Sequence, residues 1–311
     1  MKIVAGGLNF LRGNDGTNYD GLLNPGETVT TIASSSSATL VLIASYDRIF
    51  AVDLVNNAFV NTGLRLDPMD IPVLCHNDSI DRFIAGGLKA GSPYLESMKK
   101  TDTTWSFYDV SAELVTMPRS ACKIPAGIWI IGCNDLRVYK WDGVSVDGGL
   151  TDISANYGGP ATGYHVVGMA LDNDNNRLFV ADRYGNFYIH DLTTDTVTTA
   201  SQAGDYDWSE VYNVLFNPVS GKVIAVGKDS AGNYVIREAP TDPSTLTWTT
   251  RTSWTTPDLT AICVDPQTGD IYTAYADNTI YRTTYDWSVS SEVSSDFGSP
   301  ANPAVALCPI P

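Results

Sequence analysis

LTAICVDPQTGDIYTAYADNTIYRTTYDWSVSSEV, residues 259–293, is the stretch from which the fold is read. LTAICVDP turns through QTG into DIYTAYA, which turns through DN into TIYRTTY, and the shorter WSVSSEV follows. The runs are rich in Val, Ile, Tyr and Thr, and Gly, Asn, Asp and Pro punctuate them, as in antiparallel strands joined by hairpins. Four such strands, lettered a to d, make one unit. The preceding stretch repeats the layout as VYNVLFNP, KVIAVGKD, NYVIREAP and LTWTTRT (211–252). Before that come VVGMALDN, RLFVADR, NFYIHDL and TVTTAS (166–201).

Three more units are legible upstream: GIWIIGCN with LRVYKWDG (127–143), RFIAGGL with PYLESMK (82–99), and TLVLIAS with RIFAVDL (39–54). The seventh is divided between the ends. KIVAGGL at the N-terminus nearly copies RFIAGGL, so the chain opens on a b strand, and PAVALCPI near the C-terminus reads as an a strand with no b strand after it. The b strands start at Ile3, Leu40, Phe83, Ile128, Leu178, Val223 and Ile271, about 37 to 50 residues apart, a spacing that suits four-stranded propeller blades. A blade cannot bury both faces alone, so blades pack side by side, and pairing the last strand with the first three protects the seam.

The expectation is therefore an all-β, seven-bladed β-propeller of four-stranded blades, its ring closed by the C-terminal strand, in one domain over 1–311. Blade 1 is split between 1–26 and 302–311, and the others span about 27–66, 70–112, 113–154, 164–201, 210–252 and 258–294. CVDPQTGDIYTA (263–274) and FNPVSGKVIAV (216–226) resemble the NHL- and YVTN-type repeat, in which an a strand turns through a D-P-x-T-G loop into strand b. The resemblance implies blade architecture and leaves function open, because propellers host unrelated activities. Trp141-Asp142 is the only WD dipeptide, so WD-repeat proteins match less well.

Composition narrows the partners. Nineteen basic against thirty-five acidic side chains leave a net charge of −16, which repels nucleic acid and anionic membranes. No apolar run reaches membrane-spanning length, so no membrane insertion is expected. The N-terminus carries no signal-peptide pattern. Cys75, Cys122, Cys133, Cys263 and Cys308 are odd in number and lack a CxxC pair, which reads as reduced thiols in a core. Four of them fall on a strands. No cofactor or metal is expected.

The catalytic signals are weak. Asp172-Asn173-Asp174-Asn175-Asn176 alternates side-chain oxygens, but an EF-hand-like loop would need Gly and Glu where Arg177 and Arg183 stand, so a turn is expected. His76 and His190 read as turn and strand residues, and neither makes a Ser-His-Asp arrangement. TDTTWS (101–106) is faintly similar to a sialidase Asp-box but lacks its Gly. The stronger feature is the set of connections from strand d of one blade to strand a of the next, which share one edge. These carry Tyr157, Tyr164 and His165, then Gly204, Asp205, Tyr206, Asp207 and Trp208, then Trp254 and Asp258, and finally Asp296-Phe297. Aromatics beside carboxylates and amides suit sugar rings, a protein interface, or local packing over the blade edges.

The function expected is a non-catalytic structural or interaction protein whose partners are other structural proteins of an assembly. Its low charged content, Thr/Ser/Asn-rich surface and reduced cysteines resemble in style a bacteriophage tail, fibre or capsid-associated protein. That implies a virion location after synthesis in the host cytoplasm. A carbohydrate-binding module reading cell-surface glycan is the alternative, and a glycoside hydrolase or lyase the second; the latter requires two carboxylates in one cleft.

Overall fold

The apolar runs form strands that pair in sequence order, and burial follows their place in each sheet. The computed structural model describes residues 2–35, 39–46, 48–56, 58–65, 69–101, 104–201, 206–241 and 246–310. Blade 1 begins with β1 (Lys2–Gly7) and β2 (Phe10–Gly13). Blade 2 holds β3 (Val29–Ser34), β4 (Leu40–Ser45), β5 (Arg48–Asp53) and β6 (Ala58–Arg65). Blade 3 holds β7 (Met69–Asn77), β8 (Arg82–Lys89), β9 (Ser92–Thr101) and β10 (Thr104–Asp109). Blade 4 holds β11 (Pro118–Ile124), β12 (Ile128–Cys133), β13 (Val138–Trp141) and β14 (Thr151–Asp152). Blade 5 holds β15 (Val166–Asp172), β16 (Arg177–Asp182), β17 (Phe187–Asp191) and β18 (Thr196–Ser201). Blade 6 holds β19 (Trp208–Asn217), β20 (Lys222–Asp229), β21 (Tyr234–Pro240) and β22 (Thr249–Trp254). Blade 7 holds β23 (Leu259–Val264), β24 (Ile271–Tyr275), β25 (Ile280–Thr283) and β26 (Ser290–Glu292), and β27 (Ala304–Ile310) returns to blade 1.

The fold class is that of a seven-bladed β-propeller. Among the described residues, six sheets have four strands in sequence order; the first is β2-β1-β27, with a single bridge between Arg12 and Asn18 in place of an outer strand. Lys2 pairs with Ile310 and Val4 with Cys308, so the two ends of the chain build one sheet. The strand starts read from sequence lie within one residue of the observed b strands.

The chain divides into two compact units. In the unit of residues 1–107 and 257–311, three apolar clusters join neighbouring blades: 7 to 1, 1 to 2, and 2 to 3. Thr260 donates its hydroxyl to Ala304 O, and Thr31 donates to Ile71 O, each hooking one a strand to the next. In the unit of residues 108–256, two clusters join blades 4 to 5 and 5 to 6. The b strands β12, β16 and β20 are buried without period-two alternation, and β16 is covered by blades 4 and 6 on its two sides; β22 and β26, at sheet edges, are mostly exposed.

Every a–b pair carries a bulge near the same end of its a strand, at Thr30, Ile71 to Pro72, Arg119, Val167, Ser209 and Tyr212, Thr260 and Val305. Bulges add twist and bend the strand. The bulged backbone crowds the b strand: a Cβ on Gly227 would sit 2.1 Å from Glu210 O, and one on Gly87 1.9 Å from Asp70 O.

Two d-to-a connections share a motif. In DISANYGG (152–159), Ser154 Oγ donates to Asp152 and accepts the Val138 N–H at 3.0 Å. In EVSSDFGS (292–299), Ser294 Oγ donates to Glu292 and accepts the Ile280 N–H at 3.0 Å. A 3-10 turn follows, an aromatic (Tyr157 or Phe297) plugs the core, and a left-handed Gly (158 or 298) ends the turn.

Candidate functional site

The d-to-a connections expected to display aromatics do two different things. Tyr157, Trp208 and Phe297 point into the core, with Trp208 only 6% exposed. Of the readings the sequence leaves open, local packing describes these three: each is the apolar anchor of its connection. Trp208 packs at an edge against Trp248 and beside Phe187, and the Arg237 guanidinium stacks 4.3 Å from its ring. Arg237 also donates to Tyr206 O, which fixes the half-buried Tyr206, and burial lowers its pKa. Asp207 is exposed at φ 58°, its carbonyl held by Ser230 N–H. Asp258 is exposed and belongs to the other compact unit. Gly204 and Asp205, with Asp102 and Thr103 of the Asp-box-like stretch, lie outside the described residues.

The accessible aromatics form a strip along the edge of blades 5 and 6. Tyr164 (37% exposed) meets Tyr184 (40% exposed) edge to face at 4.9 Å. Next to Tyr184, Arg183 pairs with Glu210 at 2.8 Å, and the Tyr212 hydroxyl donates to Glu210 at 3.2 Å. Tyr212 approaches Tyr234 at 6.1 Å; Tyr234 is itself buried and backs the strip, lying nearly parallel to half-buried Trp254 at 5.7 Å and 16°. Lys228 sits over the opposite part of this group, 4.4 Å from the Tyr234 ring centre. Register explains the row: Glu210, Lys228, Tyr234 and Trp254 are successive cross-strand partners through β19, β20, β21 and β22. Paired side chains stand on the same face within contact distance.

Electrostatics tune the strip without activating it. Desolvation and then the Glu210 charge raise the Tyr212 phenol above its ordinary value. Hydrogen bonding to Tyr234 raises Lys228, so its ammonium stays charged. His165, half-buried beside Tyr164, accepts the Asp135 N–H at 3.4 Å, and burial and then Arg119 lower its pKa.

A second polar chain lies beneath blades 4 and 5. Asp195 accepts from His190 Nε2–H at 2.7 Å, which leaves Nδ1 to accept the Tyr157 hydroxyl proton at 2.8 Å. Lys140 donates to both Asp195 oxygens. The connectivity mimics a catalytic triad, but His190 is fully buried and burial lifts the Tyr157 phenol well above its ordinary range. This chain ties the blade 4 connection to strand c of blade 5 and offers no reactive oxygen to a substrate.

Among the described residues, no group of three or more His, Cys, Asp and Glu could hold a metal ion. Asp172 accepts the Asn175 N–H and side-chain amide, so that acidic run is a turn closed on itself. Burial raises the Cys263 thiol and pushes Cys308 up to about 12, far from thiolate chemistry. No helix among the described residues is long and apolar enough to cross a membrane.

Of the residues in this row, the sequence pattern points to Tyr164, His165 and Trp254 and not to Arg183, Tyr184, Glu210, Tyr212, Lys228 and Tyr234. Tyr184 was within reach, because b–c turns share an edge with d-to-a connections. The others needed the register. No known protein-family description matches the chain, and no curated protein matches it either.

Proposed function

We propose that the protein is a non-catalytic interaction protein that docks a structural partner through the strip of blades 5 and 6. The observation carrying this reading is the run of Tyr164, Tyr184, Arg183, Glu210, Tyr212 and Trp254, joined by ring contacts, an ion pair and a hydrogen bond along one edge of blades 5 and 6. Tyr, Trp and Arg are the side chains that anchor protein interfaces, and their contacts with one another leave them little entropy to lose on binding. The finer reading, a virion component, rests on the sparsely charged, Thr/Ser/Asn-rich sequence. In purified particles the wild-type chain is expected at fixed stoichiometry, while Tyr184→Ala combined with Arg183→Ala is lost from them with an unchanged melting temperature. Absence of the wild type from every particle fraction refutes the virion reading.

The half-buried Trp254 ring, backed by buried Tyr234, and the exposed Tyr184 ring beside Arg183 and Glu210 favour carbohydrate as the second partner class, since sugar C–H faces stack on rings while hydroxyls meet charged groups. A glycan array distinguishes the two. Binding that Trp254→Ala abolishes selects the glycan reading, and silence from the wild type selects the protein partner.

A further inference from the structure

We propose a carboxylate site at the blade 4 end of the aromatic strip, where Arg119, His165 and Arg183 receive one Asp or Glu side chain of the docking partner. The site deepens the docking reading above and rests on it.

Unpaired cations are rare in this chain, which has thirty-five acidic side chains against nineteen basic ones. Every other arginine whose side chain is described has at least one Nη group bound by a carboxylate or carbonyl oxygen. For Arg119 and Arg183, no Nη hydrogen-bond acceptor stands among the described residues. Arg119 Nε donates to Asn134 Oδ1 at 2.8 Å, and Arg183 Nε lies 2.8 Å from Glu210.

The donors are held in place before any partner arrives. Arg119 is half-buried at the bulge of β11. Its anchor Asn134 is fixed in turn, the N–H by Met117 O at 2.9 Å and the carbonyl by the Thr116 hydroxyl at 3.0 Å. The next residue, Asp135, donates its N–H to His165 Nδ1 at 3.4 Å, which ties the imidazole to the same turn. That bond leaves the proton of the neutral ring on Nε2, and Nε2–H has no acceptor among the described residues. His165 O accepts the Arg183 N–H at 2.9 Å, which sets the second arginine beside the ring. Burial first, and then Arg119 and Arg183 against Asp135, lower the His165 pKa.

These donors select the ligand. Two guanidinium forks and one imidazole N–H offer protons, and a carboxylate is a planar acceptor that matches a fork with both oxygens. The neighbouring carboxylates are already engaged, Asp135 by the Gly163 N–H at 2.9 Å and Glu210 by Arg183 and the Tyr212 hydroxyl. They and the net charge of −16 repel a polyanion. A single acidic side chain therefore fits, on a partner surface otherwise neutral or basic.

NMR titration of the full chain, following the His165 imidazole, tests the assignment. The probes are N-acetylglutamate methylamide, its neutral isostere N-acetylglutamine methylamide, and methyl glucuronide as an acidic sugar. The glutamate derivative is expected to bind at millimolar concentration and the isostere not to, with affinity about tenfold or more weaker in Arg119→Met. The charged groups facing His165 are Arg119 of β11, Asp135 of the β12–β13 turn and Arg183 of the β16–β17 turn. A carboxylate set among them raises the His165 pKa, so binding should tighten about twofold or more from pH 7.5 to 5.5. His165→Gln should abolish that pH dependence, and it carries the test if Arg119→Met fails to fold. No binding of the glutamate derivative, equal binding of the isostere, or unchanged affinity in a folded Arg119→Met would overturn the site. So would equal wild-type affinity at both pH values. Preference for methyl glucuronide would overturn the assignment to a protein side chain. Any of these failures leaves the docking reading standing if the Tyr184→Ala, Arg183→Ala double variant is still lost from particles.

Discussion

Trp208 and Trp254 look alike in sequence, each near a d-to-a connection and beside polar residues, yet they carry different energies. Trp208 is enclosed by Phe187, Trp248 and the Arg237 guanidinium, so Trp208→Ala removes packing on every side and is expected to cost about 3–5 kcal/mol. Trp254 keeps one face toward Tyr234 and is half-buried, so Trp254→Ala is expected to cost about 1 kcal/mol. Denaturant midpoints of the two variants measure the difference, and equal losses would contradict the burial argument. His190 makes a prediction of its own. Burial depresses its pKa despite the Asp195 hydrogen bond, so the unfolded chain binds a proton first as pH falls below about 6.5. Stability contributed by neutral His190 is complete above that pH and declines as acidification proceeds toward the depressed folded value. His165 is shifted in the same direction, so the window is shared. Urea midpoints at pH 7.5 and 5.5 should fall on acidification in the wild type, and less steeply in His190→Gln.

At the level of elements, the paired connections show how a loop can be part of the ladder. Ser154 and Ser294 give the c strand an acceptor where strand d has ended, and the acid two residues earlier orients each hydroxyl. Ser154→Ala leaves the Val138 N–H buried and unpaired, and a loss of about 1–3 kcal/mol is expected, with Ser154→Thr recovering much of it. The bulges set a second constraint. Gly227→Ala drives a methyl into Glu210 O and is expected to destabilise by about 1–3 kcal/mol while moving the start of β19. Because Glu210 belongs to the aromatic strip, that variant should also weaken partner binding more than its loss of stability explains. Thermal unfolding and particle association, measured together, separate the two effects.

At the scale of the whole molecule, the two ends of the chain share one sheet. β27 pairs along nearly all of β1 and, in its own compact unit, packs between β23 and β3. Removing residues 304–311 would strip β1 of a partner and expose both the β1 edge and the apolar faces of blades 1 and 7. Such an edge recruits other strands, so the truncated chain is expected to aggregate or exchange strands, seen as high-mass species in size-exclusion chromatography. A monodisperse truncated chain with the wild-type melting temperature would show that β27 is dispensable. The net charge of −16 acts on the same scale: it disfavours polyanionic partners and leaves neutral or basic surfaces as the fitting ones.

Blade number, strand order and the union of the two termini were determined by local sequence alone. Apolar runs and turn residues act over a few neighbours, and KIVAGGL beside RFIAGGL identifies the incomplete blade without any coordinates. The outer strand of blade 1 was not foreseeable in this way, since irregular Gly-rich sequence there pairs only at Arg12 and Asn18. Only the tertiary structure decided which loop aromatics are anchors and which are accessible. Tyr157, Tyr164, Trp208 and Trp254 all fall in or beside d-to-a connections, and that position does not say which way a ring turns. The row through Glu210, Lys228, Tyr234 and Trp254 depends on a register reset by bulges, and the site at Arg119, His165 and Arg183 depends on two blades meeting. Those relations join residues tens of positions apart, and they come into being only when the sheets pack.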